Sequence, residues 1–306
     1  MQKWPNFIII GAGKSGTTSL YEYLRQHPQV FMSDVKETNF FALEGKEVKA
    51  IDDSKEQTEH YPWAINNLND YLKLFEDVKD EKAIGEVSPM YLYNEQAPKN
   101  IYKRIPNAKI IAILRQPVER LYSRYMHLAR EGREPSANFS DAFDENSVWW
   151  RRNDLVTEGF YGTYLARYFD QFNADQIKVY LYDDLRRNEA EVVNDMFRFI
   201  GVDADFKPTA GEQFNKSGRI KNKKLDLLIG QNSILVRGAN KFSPSLVRKI
   251  KESKGLKKVV NRLRNKNLEK APLSKELKNE MTSAIYKNEI LLLEDLLKRD
   301  LKHWLA

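Results

Sequence analysis

Phe7-Ile8-Ile9-Ile10 runs directly into Gly11-Ala12-Gly13-Lys14-Ser15-Gly16-Thr17-Thr18-Ser19-Leu20. An apolar, β-branched run meets glycines, one lysine and a cluster of hydroxyls, and a helical pattern begins. A strand, a short loop and a helix N-terminus leave backbone N–H groups and the positive end of the helix dipole facing the same point, which favours an anion. Lys14 adds a cation there, and Ser15, Thr17 and Thr18 add hydroxyl donors. The segment reads as a phosphate cradle, but its spacing is not that of a P-loop. G-x-x-x-x-G-K-[ST] closing on Gly13-Lys14-Ser15 requires glycine at position 8, which is Ile8. The best second strand, Lys109–Leu114, ends in Arg115, where ATP and GTP enzymes of that class place a metal-holding aspartate. An arginine repels a metal ion and attracts a second phosphate. The two segments together predict a nucleotide bound by phosphates at two separate places, with no metal.

Two further segments lie between them, and the four together resemble a known family. Lys14-Ser15-Gly16-Thr17-Thr18 resembles the 5′-phosphosulfate loop of sulfotransferases that use 3′-phosphoadenosine-5′-phosphosulfate (PAPS). Leu114 to Tyr125 resembles that family's 3′-phosphate motif, R-x-P-x-x-R-x-x-S-x-Y. Lys36-Glu37-Thr38-Asn39-Phe40-Phe41 is similar to K-E-x-H-F-F of the bacterial and heparan-sulfate-type branch, and Glu86-Val87-Ser88-Pro89-Met90-Tyr91 to its E-K-[ST]-P-x-Y. The resemblance runs from about Asn6 to Asp300-Leu301-Lys302-His303-Trp304.

This resemblance implies a reaction and roles. Sulfuryl transfer requires stabilisation of the leaving phosphate, removal of the acceptor proton and in-line alignment. Lys14 is the candidate for the leaving phosphate. Ser15, Gly16, Thr17 and Thr18 would bind the 5′-phosphate, with Ser19 capping or continuing the helix, and Arg115 and Ser123 would bind the 3′-phosphate. Glu37 matches the branch's general base. Lys216 and Arg219, in Phe214–Arg219, fall where the family has a loop that closes on the nucleotide. Arg120 matches the motif, yet it could instead pair internally with Glu86 or Glu119, and the role of Arg124 is open. Asn39 and Val87 depart from the branch, which often has His and Lys there, and this weakens a heparan-like substrate. The acceptor expected is a carbohydrate, a glycolipid or a small metabolite. Two rivals remain: a magnesium-dependent kinase or GTPase, and a non-catalytic nucleotide-fold protein that binds an anionic partner.

Elements must hold these residues in place. Short apolar runs predict strands at Phe7–Ile10, Val30–Met32, Ala83–Val87, Lys109–Leu114 and Ile177–Tyr182. Helical patterns alternate with them at Thr18–Gln26, Leu68–Glu76, Glu95–Arg104, Val118–Arg130, Gly159–Phe172 and Leu185–Ile200. Alternation of this kind predicts an α/β fold, P-loop-like and three-layered, with a central parallel sheet flanked by helices and phosphate loops at the strand C-termini. Tyr161, Leu165, Tyr168 and Phe172 match a family helix, and their spacing is that of a core stripe. Leu273–Leu305 reads as a final amphipathic helix pair. The Trp149-Trp150 pair fits an acceptor cleft, a partner surface or a helix anchor. His27 reads as a helix-end residue; His60 and His127 have no evident partner.

At 306 residues the chain fits one domain over 1–306, with 216–270 as a possible helical, basic subdomain. The absence of cysteine excludes disulfides and thiolate chemistry. With no signal peptide and no apolar run near the ~20 residues that span a bilayer, a cytoplasmic protein is expected. The net charge of +7 is uneven: Lys216 to Lys270 holds seventeen Lys or Arg against three acidic residues. That field could meet nucleotide phosphates, an anionic polymer or an acidic membrane surface, or be an ordinary solvated face. No base-stacking pattern accompanies it, so no nucleic acid partner is expected.

Overall fold

The computed structural model describes residues 2–46, 63–131, 133–209, 219–220, 268–269 and 272–306. The chain divides into two compact units. The larger holds Met1–Arg124, Pro135–Phe214 and Ser274–Ala306, and the smaller holds Tyr125–Glu134 and Asn215–Leu273. In the smaller unit, Arg219–Ile220 and Leu268–Glu269 pair as a short antiparallel ribbon. The segment predicted as a basic helical region, 216–270, lies largely outside the described residues.

The larger unit is built on five parallel strands: β1 (Phe7–Gly11), β2 (Val30–Met32), β3 (Ala83–Val87), β4 (Lys109–Leu114) and β5 (Ile177–Leu181). Their order is β2-β3-β1-β4-β5. The most apolar run, FIIIG, takes the centre, where every residue is buried. Each strand appears where the sequence predicts it, within one residue at its C-terminal end. Because all strands point the same way, the loops after β1, β3 and β4 open along one edge of the sheet. The chain reverses its winding direction at β1, and ligands of open α/β sheets bind at such a point.

Helices flank this sheet: α1 (Thr17–Leu24), α2 (Phe40–Leu43), α3 (Leu68–Lys73), α4 (Met90–Tyr93), α5 (Ala97–Arg104), α6 (Pro117–Glu131), α7 (Val148–Arg151) and α8 (Tyr161–Phe169). α9 (Tyr182–Arg187) and α10 (Glu189–Ile200) complete the described helices before the C-terminal segment. α1 and α10 bury Leu20, Leu24, Val193, Met196 and Phe197 in one cluster with Phe7, Ile9, Ile111 and Ile113 of the sheet. The α8 stripe is core, as predicted: Tyr161, Leu165, Tyr168 and Phe172 are all buried.

Three details differ from or settle the sequence reading. The single helix predicted over Leu185–Ile200 is two, because Asn188 leaves helical geometry and caps α10 by accepting the Glu191 N–H at 3.3 Å. The C-terminal pair is one helical run, Lys275–Met281 and Lys287–Leu297 joined through a π turn at Thr282–Tyr286. The tryptophans are anchors: Trp149 is buried and donates to Ser136 Oγ at 3.0 Å, while Trp150 donates to the Ala142 carbonyl at 2.9 Å. Among the described residues no helix is long and apolar enough to cross a membrane.

Candidate active site

The loop after β1 turns through Lys14, which holds φ 64°, and Gly16, which holds φ 106° and caps α1. Gly16 suits that position twice over. Left-handed φ costs it little, and a Cβ there would lie 3.2 Å from Tyr182 Cδ2 and 3.4 Å from Ile113 Cδ1. Glycine also brings no capping side chain, so none occupies the first-turn amides of α1. Ser15 and Thr17 are buried, and Ser19 lies inside α1.

Beneath this loop sits a carboxylate that no local spacing marks. Glu158, 145 residues on, accepts the Gly13 N–H at 2.6 Å through Oε1. Its Oε2 accepts from Arg120 Nη1 at 2.9 Å, and both side chains are buried. A Cβ on Gly13 would meet Glu158 Oε1 at 2.8 Å, so any other residue here would displace the carboxylate. Burial pushes the Glu158 carboxyl above the ordinary glutamate range, against the opposing pull of Arg120. Arg120 also donates to the carbonyls of Asp154 and Leu155. Its partner is therefore Glu158, and neither Glu86 nor Glu119 as the sequence suggested. Arg124 and Arg152 both hold the buried Asp154 carboxylate.

The second phosphate motif meets the first through an aromatic ring. Arg115, just past β4, places its guanidinium 5.1 Å from the centre of Tyr182. The same ring faces Gly16, so Tyr182 spans the distance between the two motifs. Glu119 fixes the arginine from the side, accepting from Arg115 Nε and Nη2 at 3.2 and 3.1 Å. Lys278 approaches the other oxygen of Glu119 at 3.3 Å. Gln116 ties this corner to the C-terminal helix, donating to Thr282 Oγ1 at 2.7 Å. Ser123 lies buried on α6, two turns along from Arg115.

Glu37 stands on the loop after β2, at φ 58°, with its N–H on the Val87 carbonyl at 2.8 Å. Ser88 N–H bonds the Ile9 carbonyl at 3.0 Å, which continues the pairing of β3 with β1 just beyond the point where Glu37 meets Val87. The preceding residue makes the direct link. Lys36 Nζ donates to Thr18 Oγ1 at 2.8 Å and lies 5.5 Å from the Tyr21 ring centre. Burial pulls its pKa below the lysine range, with Glu37 and Glu22 opposing. Lys36 is a second cation at the phosphate loop, legible beforehand only as a letter of the Lys36–Phe41 motif.

Thus Lys14, Ser15, Gly16, Thr17, Thr18, Arg115 and the Lys36-Glu37 pair share one edge of the sheet. Lys216 lies outside the described residues, and Arg219 belongs to the ribbon of the smaller unit. His27 is structural: its Nε2 meets the Asp203 carbonyl at 2.8 Å and its Nδ1 accepts the Gln29 N–H at 3.0 Å. His127 pairs with Arg130 at 2.9 Å.

The buried pair yields a test. Arg120→Leu strands the Glu158 carboxylate and should cost about 3–5 kcal/mol in urea unfolding. A loss below about 1 kcal/mol would show that the pair does not hold the loop's floor.

Comparisons with known proteins bear on the family and the fold. The sulfotransferase family profile matches residues 5–206. A crystal structure of a sulfotransferase from Alicyclobacillus acidocaldarius superposes with a TM-score of 0.71 at 27% identity, covering 99% of this chain and 100% of that one. The mouse bifunctional heparan sulfate N-deacetylase/N-sulfotransferase 4 is 29% identical over 208 residues, which are 65% of this chain and 22% of that protein. The membrane-associated sulfotransferase kil1 of Dictyostelium discoideum is 36% identical over 124 residues, 40% of this chain and likewise 22% of the relative. This chain therefore spans about a fifth of the length of these curated relatives. With its profile match covering most of the sequence, the chain belongs to the sulfotransferase family, the PAPS-dependent enzymes that its two phosphate motifs resemble.

Proposed function

We propose that this chain moves the sulfuryl group of PAPS onto a hydroxyl or amine of a carbohydrate-type acceptor, with Lys14 and Glu37 as its catalytic residues. The observation that supports this best is the Lys36–Thr18 hydrogen bond of 2.8 Å. It fastens the residue before Glu37 to the first turn of α1, and so brings a carboxylate to the loop that would hold the phosphosulfate.

In the reaction the acceptor oxygen or nitrogen bonds to sulfur as the bond from sulfur to the 5′-phosphate oxygen breaks. The electron pair stays on the phosphate, and the acceptor proton passes to Glu37. Lys14 and the first-turn amides of α1 stabilise the growing charge on the leaving phosphate. Lys36 adds positive charge at Thr18. Arg115, stacked on Tyr182 and steadied by Glu119, binds the 3′-phosphate together with Ser123. The residues at this edge suit a dianion at each of two places. The relatives named for heparan sulfate make a polysaccharide amine or hydroxyl the first acceptor to consider. Asn39 and Val87, in place of the branch's His and Lys, direct the search to acceptors other than heparan itself. A glycolipid or small metabolite follows.

Two substitutions test the roles. Glu37→Gln should lower PAPS-dependent sulfation about 10²–10⁴-fold while 3′,5′-adenosine bisphosphate (PAP) still raises the melting temperature. Undiminished turnover would remove Glu37 from the mechanism. Lys14→Ala should lower kcat by about 10²–10³-fold in a protein that still folds; a folded variant of unchanged activity would contradict the charge-stabilising role. For the acceptor, a polysaccharide outside the heparan class that carries free amines and hydroxyls, such as chitosan, should take up radioactive sulfate from labelled PAPS. Incorporation into short alcohols or lipids alone would reject the polysaccharide.

A further inference from the structure

Glu86 is a carboxylate one residue from the C-terminal end of β3, opposite Ile8 of β1, and it has no access to solvent. Four hydroxyls converge on it. Thr38 Oγ1 and Ser88 Oγ donate to Oε2 at 3.0 and 2.7 Å, and Tyr71 and Tyr91 donate to Oε1 at 3.0 and 2.8 Å. Three of these hydroxyls also accept from the backbone of the segment that follows Glu37, Thr38 Oγ1 taking the Phe40 N–H at 3.5 Å. Ser88 Oγ takes the Asn39 N–H at 3.2 Å, and Tyr91 Oη takes the Phe41 N–H at 3.3 Å. Glu37 and Asn39, on either side of Thr38, both hold left-handed backbone at φ 58° and 55°, which non-glycine residues adopt only where their surroundings fix them. Phe40 stacks on Tyr71 at 4.2 Å between ring centres and closes the network from above.

We infer that Glu86 is a positioning residue for Glu37: its two carboxylate oxygens turn the Ser88 and Tyr91 protons inward, leave their lone pairs for the Asn39 and Phe41 N–H groups, and so hold the strained 37–39 turn that carries the base. This rests on the assignment of Glu37 made above. Direction is the key property. A carboxylate only accepts, whereas an amide of the same shape must donate from one end. Glu86→Gln therefore sets an NH2 group against two of the hydroxyls, and reversal of Ser88 at one end or Tyr91 at the other turns its proton onto a backbone N–H. Burial raises the Glu86 carboxyl, and the four donors oppose the rise.

The test uses the whole chain, with conversion of bound PAPS to PAP followed in a single turnover and water as the acceptor. Sulfur then bonds to the water oxygen, sulfate and PAP are the products, and a water proton goes to Glu37. Glu86→Gln should lower this rate at least tenfold, speed amide hydrogen exchange over 37–41 by a similar factor and leave exchange in β1 unchanged. The thermal shift with PAP should match wild type. In a Glu37→Gln background, Glu86→Gln should change the rate less than twofold, because both act through one group. Thr38→Val should reproduce the loss and Thr38→Ser, which keeps the hydroxyl, should recover most of it; this pair decides the matter if Glu86→Gln fails to fold. A wild-type rate in Glu86→Gln beside a slow Glu37→Gln overturns the positioning role alone. Losses that multiply in the double variant, or exchange that accelerates throughout the sheet, overturn it equally. A wild-type rate in Glu37→Gln overturns the base assignment and this inference with it.

Discussion

The Gly13 N–H on the Glu158 carboxylate, at 2.6 Å, is the contact on which the shape of the phosphate loop depends. A loop that binds an anion must aim most of its N–H groups outward, and an outward-facing loop needs something to hold it from below. Glu158 does this by taking one amide inward, and Arg120 holds Glu158 in turn. The arrangement would be expensive if either charge stood alone, since a buried ion without its partner is strongly destabilising. The Asp154 and Leu155 carbonyls accept from the same guanidinium, and the ion pair forms a floor beneath the loop. That floor explains why position 13 is glycine, and why the second arginine of the Arg115–Tyr125 motif is buried away from any phosphate.

Buried carboxylates do comparable work on both sides of β1. Glu158 supports the loop that would hold the leaving phosphate, and Glu86 supports the turn that carries Glu37. Each sits among fixed donors, and neither needs to meet substrate. Lys14, Lys36 and Arg115 follow β1, β2 and β4 along the same edge of the sheet. Tyr182, touching the Gly16 position and lying under Arg115, keeps the separation of the two phosphate motifs constant. A constant separation is what a nucleotide with one phosphate at each end would require.

Much of this was legible in the sequence for local reasons. Five apolar β-branched runs followed by turn residues predict five strands, and the glycines and hydroxyls after Ile10 predict the anion loop. What escaped was set by contacts distant in the chain. Nothing near Arg120 points to Glu158, thirty-eight residues on, so the candidate partners were the acidic residues already in view. Lys36 stood in a motif, but its bond to Thr18 depends on how β2 lies beside α1. The split at Asn188 was the exception: Asn188 followed by Glu191 is a local capping signal, masked by the strong helical pattern on either side. The π turn at Thr282–Tyr286 has no propensity signature, and the sequence pattern there predicts two helices where the fold has one run. The roles of Lys14, Glu37 and Ser123 came from resemblance and chemistry, and the fold shows only that their backbone positions suit them.

Thermal unfolding with PAP, set against ATP and GTP, each with and without magnesium, tests the central claim most directly. At about 100 times its dissociation constant, a ligand of the folded state adds roughly 2.7 kcal/mol. The account predicts a shift with PAP that is indifferent to magnesium and absent in an Arg115→Ala, Lys14→Ala double variant. A shift only with magnesium and ATP or GTP would contradict it, and would mean that the loop after β1 serves phosphoryl transfer.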